Sequence, residues 1–253
     1  MPMRPLPQAL FNGLGILCLL GFSLVPAVAG SGAPVTAEIQ IANRSGAALP
    51  VSPRNDASNV ALWLVPLDIQ TQAAAATAPQ KPSPQLVQRN KTFHPHVVVV
   101  EVGTVVEFPN KDPFFHNIFS LFDGKRFDLG LYESGSTRTV RFDRPGVSFL
   151  FCNIHAEMSA VVVAVETPYF AVSDPAGRIG ILDVPNGRYD MHVWYERSLP
   201  EDLNGLTREV TLSDSTRSLG AIHVAENPNF TPEHKNKYGQ DYVPPPSSGY
   251  SRH

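Results

Sequence analysis

The residues with the most evident chemistry are Cys152, His155 and Met158, which follow one another at intervals of three. They come directly after a strand-like run that ends at Phe151, and a tight loop can turn all three side chains toward one point. A thiolate, imidazoles and a long, weak thioether form the ligand set of mononuclear copper centres that carry electrons. The segment therefore predicts three ligands of one copper ion.

A second imidazole is needed to complete this ligand set, and His116 supplies it. His116 lies in a predicted loop after the strand expected over 104–108, and two strands of one sandwich can bring it to Cys152. Asn117 is predicted to hydrogen-bond to the Cys152 loop and hold it in place. Phenyl rings are predicted to exclude water from the metal and to protect the thiolate, namely those of Phe114, Phe115, Phe149 and Phe151.

Each of these residues also has a structural interpretation, because a Cys at a strand end is often a small buried hydrophobe and a Met can fill a core. Their combination favours a metal, since Met158 lies six residues from Cys152 with a histidine between them. Zinc competes for Cys and His, but structural zinc sites favour four strong ligands. A Cys nucleophile with a His base would need a third, orienting group and would leave Met158 unexplained.

The remaining histidines do not form a second ligand set. His94 and His96 flank Pro95 ahead of a predicted strand and have no third partner, so we interpret them as surface-turn residues. His192 is expected to be a packed strand residue, and ligand spacing is missing around His223, His234 and His253. One metal site is therefore expected.

The first 29 residues have the features of a secretory signal peptide. Arg4 provides the positive end, residues 14–28 are almost wholly apolar, and small residues precede a predicted cleavage after Ala29. Cleavage removes Cys18, which leaves Cys152 as a lone thiol without a possible internal disulfide. The formal charge changes from −3 to −4, which argues against a nucleic-acid partner. We expect a periplasmic or secreted protein without a retained membrane segment.

The mature chain is predicted to be all-β, because its apolar segments are short and are separated by Pro, Gly and Asn turns. A dense group of strands covers 97–165, and a second, smaller group covers 169–224. Two further strands are predicted within 36–65, and we place them with the first group. The Ala-, Pro- and Gln-rich segment 71–85 is expected to be an exposed loop, and no helix is predicted.

Several motifs between Lys91 and Val165 occur in an order that resembles a known family. They are Phe93-His94-Pro95, Val102-Gly103-Thr104-Val105-Val106-Glu107-Phe108-Pro109-Asn110, Asp112, His116-Asn117, Phe142-Asp143-Arg144-Pro145-Gly146, and the Cys152, His155 and Met158 set. Together they resemble the cupredoxin (plastocyanin/azurin-like) family. The resemblance implies a Greek-key β-sandwich with two imidazole ligands, His116 and His155, a thiolate ligand, Cys152, and an axial ligand, Met158. Only two residues separate His155 from Met158, fewer than in plastocyanin or azurin.

Further motifs punctuate the second group of strands: Asp174-Pro175-Ala176-Gly177-Arg178 and Val184-Pro185-Asn186-Gly187-Arg188-Tyr189. With them, the whole chain is similar to bacterial plastocyanin-like proteins often labelled methylamine-utilisation proteins. These join a copper domain to a carboxypeptidase-regulatory-like, transthyretin-like sandwich. We expect a signal peptide over 1–29, a copper-binding domain over 30–167, a second sandwich over 168–225 and, from its Pro-, Asn-, Lys-, Tyr- and Ser-rich composition, a disordered tail over 226–253.

These expectations combine into an exported blue (type 1) copper protein that binds one copper ion and transfers single electrons, rather than an enzyme. Its partners would be a redox donor and a redox acceptor that the sequence does not identify. The second module also resembles carbohydrate-binding-like folds, although no aromatic platform is evident. Two alternatives stay open: a copper-handling or storage protein without redox turnover, and a structural or adhesion module with a degenerate copper site.

Overall fold

The computed structural model describes residues 33–43, 56–121, 124–231 and 234–242. Strands dominate these residues, which confirms the predicted all-β fold class. The strands are β1 (Val35–Asn43), β2 (Ala61–Pro66), β3 (Val87–Arg89), β4 (Thr92–His94), β5 (Val97–Glu101), β6 (Val105–Pro109), β7 (His116–Ser120), β8 (Phe127–Tyr132), β9 (Thr137–Arg141), β10 (Gly146–Phe151), β11 (Ser159–Val165), β12 (Phe170–Val172), β13 (Arg178–Ile181), β14 (Gly187–Trp194), β15 (Arg208–Leu212) and β16 (Ser218–Glu226). The helices of the described residues are α1 (Ile69–Ala76) and α2 (Pro200–Asn204).

The first sandwich contains the predicted ligand segments. Its larger sheet has the strand order β5-β11-β10-β7-β8, and β6 pairs with β9 in a second, two-stranded sheet. Between the sheets lies a core of fully buried side chains that includes Phe108, Ile118 and Leu150. β7 and β10 are antiparallel neighbours, with Phe151 opposite Phe119. The start of β7 and the end of β10 therefore lie at the same end of this sheet.

The second sandwich is made of the sheets β13-β1-β16 and β12-β2-β14-β15. Its core contains the inward side chains of both sheets, among them Leu62, Leu64 and Tyr189, all fully buried. β1 lies between its neighbours, antiparallel to β13 and parallel to β16. The first and the last strands of the chain's described part are thus hydrogen-bonded to each other.

The placement of residues 36–65 with the first sandwich is wrong, because β1 and β2 both belong to the second. In β1, Val35, Ala37 and Ile39 are buried while the residues between them are exposed. Such alternation determines which face of a strand is buried, but not which sheet it covers. The second sandwich is therefore discontinuous in sequence, and the first is inserted between its second and third strands.

The two sandwiches pack together through a third apolar layer. β5 and β11 are buried on both faces, which explains their uninterrupted apolar runs. One face of each strand contributes to the first core, and the other meets Trp63 and Trp194 of the second sandwich. The strand residues on this interface are Val97, Val99, Val161, Val163 and Val165. The part of the sheet formed by β5, β11 and β10 is thereby covered on its outer face.

Two short helices correct the prediction that the chain has none. α1 lies partly within the segment expected to be a loop, 71–85. The segment lacks apolar periodicity, but its run of alanines has the highest intrinsic helix propensity. α2 begins with Pro200 and has Glu201 and Asp202 in its first turn, which are favourable residues at a helix N-terminus.

The segment predicted as a disordered tail, 226–253, is ordered in part. Strand β16 ends at Glu226, residues 227–231 contact Arg197, and residues 234–242 contact the first sandwich. The main-chain N–H of Asn227 donates to the carbonyl of Arg197, and the Arg197 guanidinium lies over the Phe230 ring. The polar composition suggested disorder, whereas a few aromatic side chains suffice to dock this segment. Residues 243–253 lie outside the described residues.

The predicted signal peptide, 1–29, also lies outside the described residues. Within the described ranges, neither helix has the length and apolar character needed to cross a bilayer. The described strands account for both sandwiches, so every predicted ligand has a defined place in the fold.

Candidate metal centre

Two strand ends position the predicted ligands. His116 is the first residue of β7 rather than part of a loop, and Cys152 directly follows β10. Residues 152–158 form the loop of the β10–β11 hairpin. Two main-chain hydrogen bonds close this loop, from Cys152 N–H to the Met158 carbonyl (3.2 Å) and from Met158 N–H to the His155 carbonyl (3.1 Å). The sulfur and the His155 ring are therefore held on one compact turn.

The two histidines and the cysteine come together as predicted. The Cys152 Sγ lies 3.7 Å from His116 Nδ1 and 3.5 Å from His155 Nδ1. One donor atom from each of the three residues lies within 4.8 Å of the others. His116 and Cys152 are fully buried, while His155 is half-buried. A single ion can therefore be reached by all three side chains.

Met158 lies at the end of the same loop and is fully buried. Its side chain belongs to the apolar cluster that also contains Cys152. This position is suitable for a thioether that approaches the metal from the protein interior, and the role of Met158 as the fourth ligand stays a prediction.

The thiol of Cys152 is in an environment with two opposing effects. Burial raises its pKa, and hydrogen bonds from the main-chain N–H groups of Asn117, Ile154 and His155 lower it in part. The net result is a pKa above that of an ordinary thiol. These N–H groups converge on the position that a metal-bound thiolate would occupy, and they stabilise a negative sulfur. The site is thus prepared for a thiolate that forms when a cation displaces the proton.

The His155 ring is held as a neutral ligand. Burial lowers its pKa, and electrostatic interactions with the nearby His116 ring and Lys91 lower it further. A neutral imidazole is the form that binds metals. Phe114 packs against both histidines, with ring centroids 5.2 Å from His116 and 5.5 Å from His155.

A carboxylate that the ligand pattern alone does not reveal completes the His116 environment. Asp112 is 3% exposed, and its Oδ2 accepts a hydrogen bond from His116 Nε2 at 2.8 Å. This bond leaves the Nδ1 lone pair free to face Cys152. The sequence signal was an acidic residue four positions before the histidine, in the loop that precedes β7.

Asn117 and Phe115 do not have the side-chain roles predicted for them. The main-chain N–H of Asn117 reaches the Cys152 sulfur, while its side-chain Nδ2 donates to Asp128 at 2.7 Å. Phe115 is 54% exposed, so the shielding expected of it comes from Phe114 instead. The Phe115 ring extends outward beside the site.

The shielding role predicted for Phe149 and Phe151 is wrong. Side chains alternate along a strand, so residues 149 and 151 face away from the core that receives Cys152. Phe149 contacts Trp194 at the interface between the sandwiches, with ring centroids 6.2 Å apart. Phe151 stacks on His234 of the C-terminal segment, at a centroid distance of 4.0 Å.

The C-terminal segment contacts the outside of the ligand loop. The Tyr242 hydroxyl donates to the Cys152 carbonyl at 2.7 Å. The main-chain N–H of Lys237 donates to Asn153 Oδ1 at 3.0 Å, and its ammonium pairs with Asp128 at 2.7 Å. The segment thus braces both the Cys152 loop and the carboxylate that holds Asn117.

The donor set suits copper better than zinc. One thiolate and two imidazoles, with a buried thioether close in sequence, match the soft and borderline ligands that copper takes in both oxidation states. A structural zinc site would call for a fourth strong ligand. Among the described residues, this is the one cluster of three His, Cys, Asp or Glu side chains with metal-binding spacing.

Comparisons with known proteins found partial structural likenesses. A purple cupredoxin from Nitrosopumilus maritimus is 23% identical over 33% of this chain and 100% of its own, with a TM-score of 0.31. A copper-containing nitrite reductase from Thermus scotoductus is 26% identical over 40% of this chain and 27% of its own, with a TM-score of 0.33. A mutant of amicyanin in its reduced form is 17% identical over 36% of this chain and 89% of its own, with a TM-score of 0.32.

No protein-family model and no curated protein matches the chain. At TM-scores of 0.31 to 0.33, the structural likenesses carry no conclusion about what this chain binds. The donor atoms of His116, Cys152 and His155 provide the evidence on that point.

Proposed function

We propose that this chain is a blue (type 1) copper protein that holds one copper ion through His116, Cys152, His155 and Met158 and transfers single electrons. The observation that carries the proposal is the convergence of one sulfur and one ring nitrogen from each of two histidines within 4.8 Å. The cupredoxin resemblance of residues 91–165 agrees with it. A bound copper ion would supply a one-electron couple between Cu(I) and Cu(II).

The surroundings of the donors support electron transfer over simple storage. Two of the three donors are fully buried at the ends of adjacent strands, and the loop is closed by main-chain hydrogen bonds. Such a scaffold limits the movement of the ligands when the charge of the metal changes. The reorganisation energy of electron transfer is therefore kept small. His155 is the half-buried donor, so its ring provides the shortest route from the centre to the surface.

The decisive experiment is an absorption and paramagnetic-resonance spectrum of the copper-loaded protein, followed by voltammetry. We expect one copper per chain, intense visible absorption from thiolate-to-copper charge transfer, and a reversible one-electron couple. Cys152→Ser is expected to abolish the visible band, because the thiolate is its source. Phe115→Ser, at an exposed ring beside the site, is the matched control and is expected to keep the band.

The alternatives have different outcomes in the same experiment. A copper-handling protein would bind copper without a reversible couple. A structural or adhesion module would bind no stoichiometric copper, and its Cys152→Ala variant would fold and function normally. Either result would contradict the proposal.

The location and partners are part of the proposal. The apolar leader with a small-residue cleavage site supports export to the periplasm or the medium. The partners would then be an exported electron donor and an exported acceptor. Fractionation of cells that express the full chain, with N-terminal sequencing of the product, tests the predicted cleavage after Ala29; a product that keeps its leader in the cytoplasm would contradict it.

A further inference from the structure

We propose that Asp112, held by the turn of the β3–β4 hairpin, is a positioning residue that fixes which nitrogen of His116 carries the proton and biases a bound copper toward its oxidised state. The second half of this inference rests on the proposed function. The first half concerns the protein without metal.

The hairpin turn provides two main-chain donors that point at Asp112. β3 and β4 are joined by Asn90 and Lys91, and both have positive φ, 56° and 54°. Two consecutive residues in this conformation form the two-residue turn that matches the twist of a hairpin. The N–H of Asn90 donates to Asp112 Oδ1 at 2.6 Å, and the N–H of Lys91 donates to Oδ2 at 3.0 Å. The turn is thus a small anion-binding nest.

The carboxylate is also fixed from its own side. The Asp112 N–H donates to Asn110 Oδ1 at 3.0 Å. The Asn110 Nδ2 donates in turn to the carbonyls of Phe114 at 2.8 Å and Tyr132 at 3.3 Å. These bonds close the loop between β6 and β7, so Asp112 cannot easily leave the position from which it accepts the His116 hydrogen bond.

The carboxylate determines the tautomer of His116. An ionised carboxylate accepts hydrogen bonds and donates none, so His116 must carry its proton on Nε2 to make the 2.8 Å contact. The Nδ1 then presents a lone pair toward the Cys152 sulfur, 3.7 Å away. The hairpin turn, Asp112 and His116 therefore form one continuous chain of hydrogen bonds that ends at the metal-binding position.

The same contact affects the preferred charge of a bound metal. A carboxylate that accepts the outer N–H makes an imidazole a stronger base and a better electron donor. Its negative charge is buried and is separated from the metal-binding position by the His116 ring. Both effects favour Cu(II), the more highly charged state, over Cu(I).

The first test uses the metal-free protein. Nitrogen NMR of selectively labelled histidine should show His116 protonated on Nε2 in the wild type. Asp112→Ala removes the acceptor and should give a mixture of tautomers. A wild-type ring protonated on Nδ1, or an unchanged tautomer in Asp112→Ala, would overturn the inference. Far-ultraviolet circular dichroism establishes that the variant is folded.

The second test uses the copper-loaded protein and Asp112→Asn, which keeps the shape of the side chain and removes its charge. Loss of an outer partner typically changes metal affinity by about tenfold or more. We expect the ratio of Cu(II) to Cu(I) affinity to fall about tenfold, which raises the reduction potential by about 59 mV for a one-electron couple. Asp112→Glu, if it restores the hydrogen bond, should return the potential toward the wild-type value.

Asp128→Asn is the matched control for charge alone. Asp128 contacts the Asn117 side chain and Lys237 rather than an imidazole. We expect it to change the affinity ratio much less than Asp112→Asn does. Equal shifts in the two variants would mean that charge in general, and not the bond to His116, sets the potential. Failure of the protein to bind copper would contradict the proposed function. The role of Asp112 in setting the His116 tautomer would still be tested, because the NMR measurement uses the metal-free protein.

Discussion

The two ligand segments of the site are held in different ways. His116 is fully buried and is fixed by a side chain from its own β6–β7 loop, Asp112, which the nearby hairpin turn supports. The Cys152–Met158 loop is closed by its own main-chain bonds and braced by parts of the chain that are distant in sequence. The first segment is thus supported from within the sandwich and the second from outside it.

This difference indicates a division of roles. Buried hydrogen bonds to a charged group are costly to break, so the His116 side should be the rigid half of the site. Tyr242 and Lys237 are partly exposed and donate to neutral acceptors on the loop, so we expect the loop to be the half that opens first.

The largest expected effect comes from breaking the rigid half. His116→Ala leaves a cavity and removes a hydrogen bond from the buried Asp112 carboxylate, so we expect the metal-free protein to lose about 3 kcal/mol of unfolding free energy. His155→Ala, at a half-buried loop position, should cost less than about 1 kcal/mol. Urea unfolding of both metal-free variants measures the difference. Equal losses of unfolding free energy in the two variants would contradict the proposal that the His116 side is the more rigid half of the site.

A smaller effect is expected from loosening the loop. Tyr242→Phe removes the hydroxyl that donates to the Cys152 carbonyl, which should cost about 1 kcal/mol in local stability. Hydrogen exchange of the Cys152 and Met158 amides should then become about fivefold faster, while amides of β7 should not change. Tyr238→Phe is the control, because that side chain is 71% exposed. The same acceleration in both variants would show that Tyr242 does not brace the loop.

The smallest expected effect is the pH-dependent contribution of the His96–Glu196 pair to stability, next to the strand that follows the ligand loop. His96 Nε2 contacts Glu196 of the second sandwich at 2.6 Å, and its Nδ1 contacts the Ser159 carbonyl at 3.1 Å. Burial lowers the pKa of His96, but the hydrogen bond and charge of Glu196 outweigh it and leave the pKa raised. Because the folded pKa exceeds the unfolded value, the stabilisation is complete below about pH 6.5 and disappears as the pH rises through the folded pKa.

The contribution of this pair should be below about 1 kcal/mol, since both groups are partly exposed. The stability lost in His96→Gln relative to the wild type is expected to be largest at mildly acidic pH and to shrink toward neutral pH, whereas His94→Gln should show no such pH-dependent loss. A difference between wild type and His96→Gln that does not shrink as the pH rises would contradict the assignment.

The clustering of His116, Cys152 and His155 could be predicted because their spacing and rarity are visible along the chain. Cys152, His155 and Met158 occupy one short loop, and His116 opens a strand next to the one that precedes Cys152. The carboxylate partner could not be singled out in the same way. Its role depends on the two donors of the Asn90-Lys91 turn, which become neighbours of Asp112 only after folding.

The errors in the fold prediction have related causes. The alternation of buried residues in β1 is equally compatible with either sandwich, so sequence proximity misplaced it. The same alternation in β10 places Phe149 and Phe151 on the face opposite Cys152, which excludes them from the site. The docked segment 234–242 lacks any periodic signal, because its contacts are made by single side chains on a surface that another segment provides.

The pairing of β1 with β13 and β16 has a consequence for how the polypeptide acquires its structure. A chain that emerges N-terminus first presents β1 long before residues 178–226, so this strand must wait unpaired while the ligand-bearing strands appear. The sandwich around Cys152 draws its strands from one contiguous stretch, 87–165, and can close earlier. The first sandwich would then fold before the second. The long sequence separation between β1 and β16 makes formation of the second sandwich the slower step.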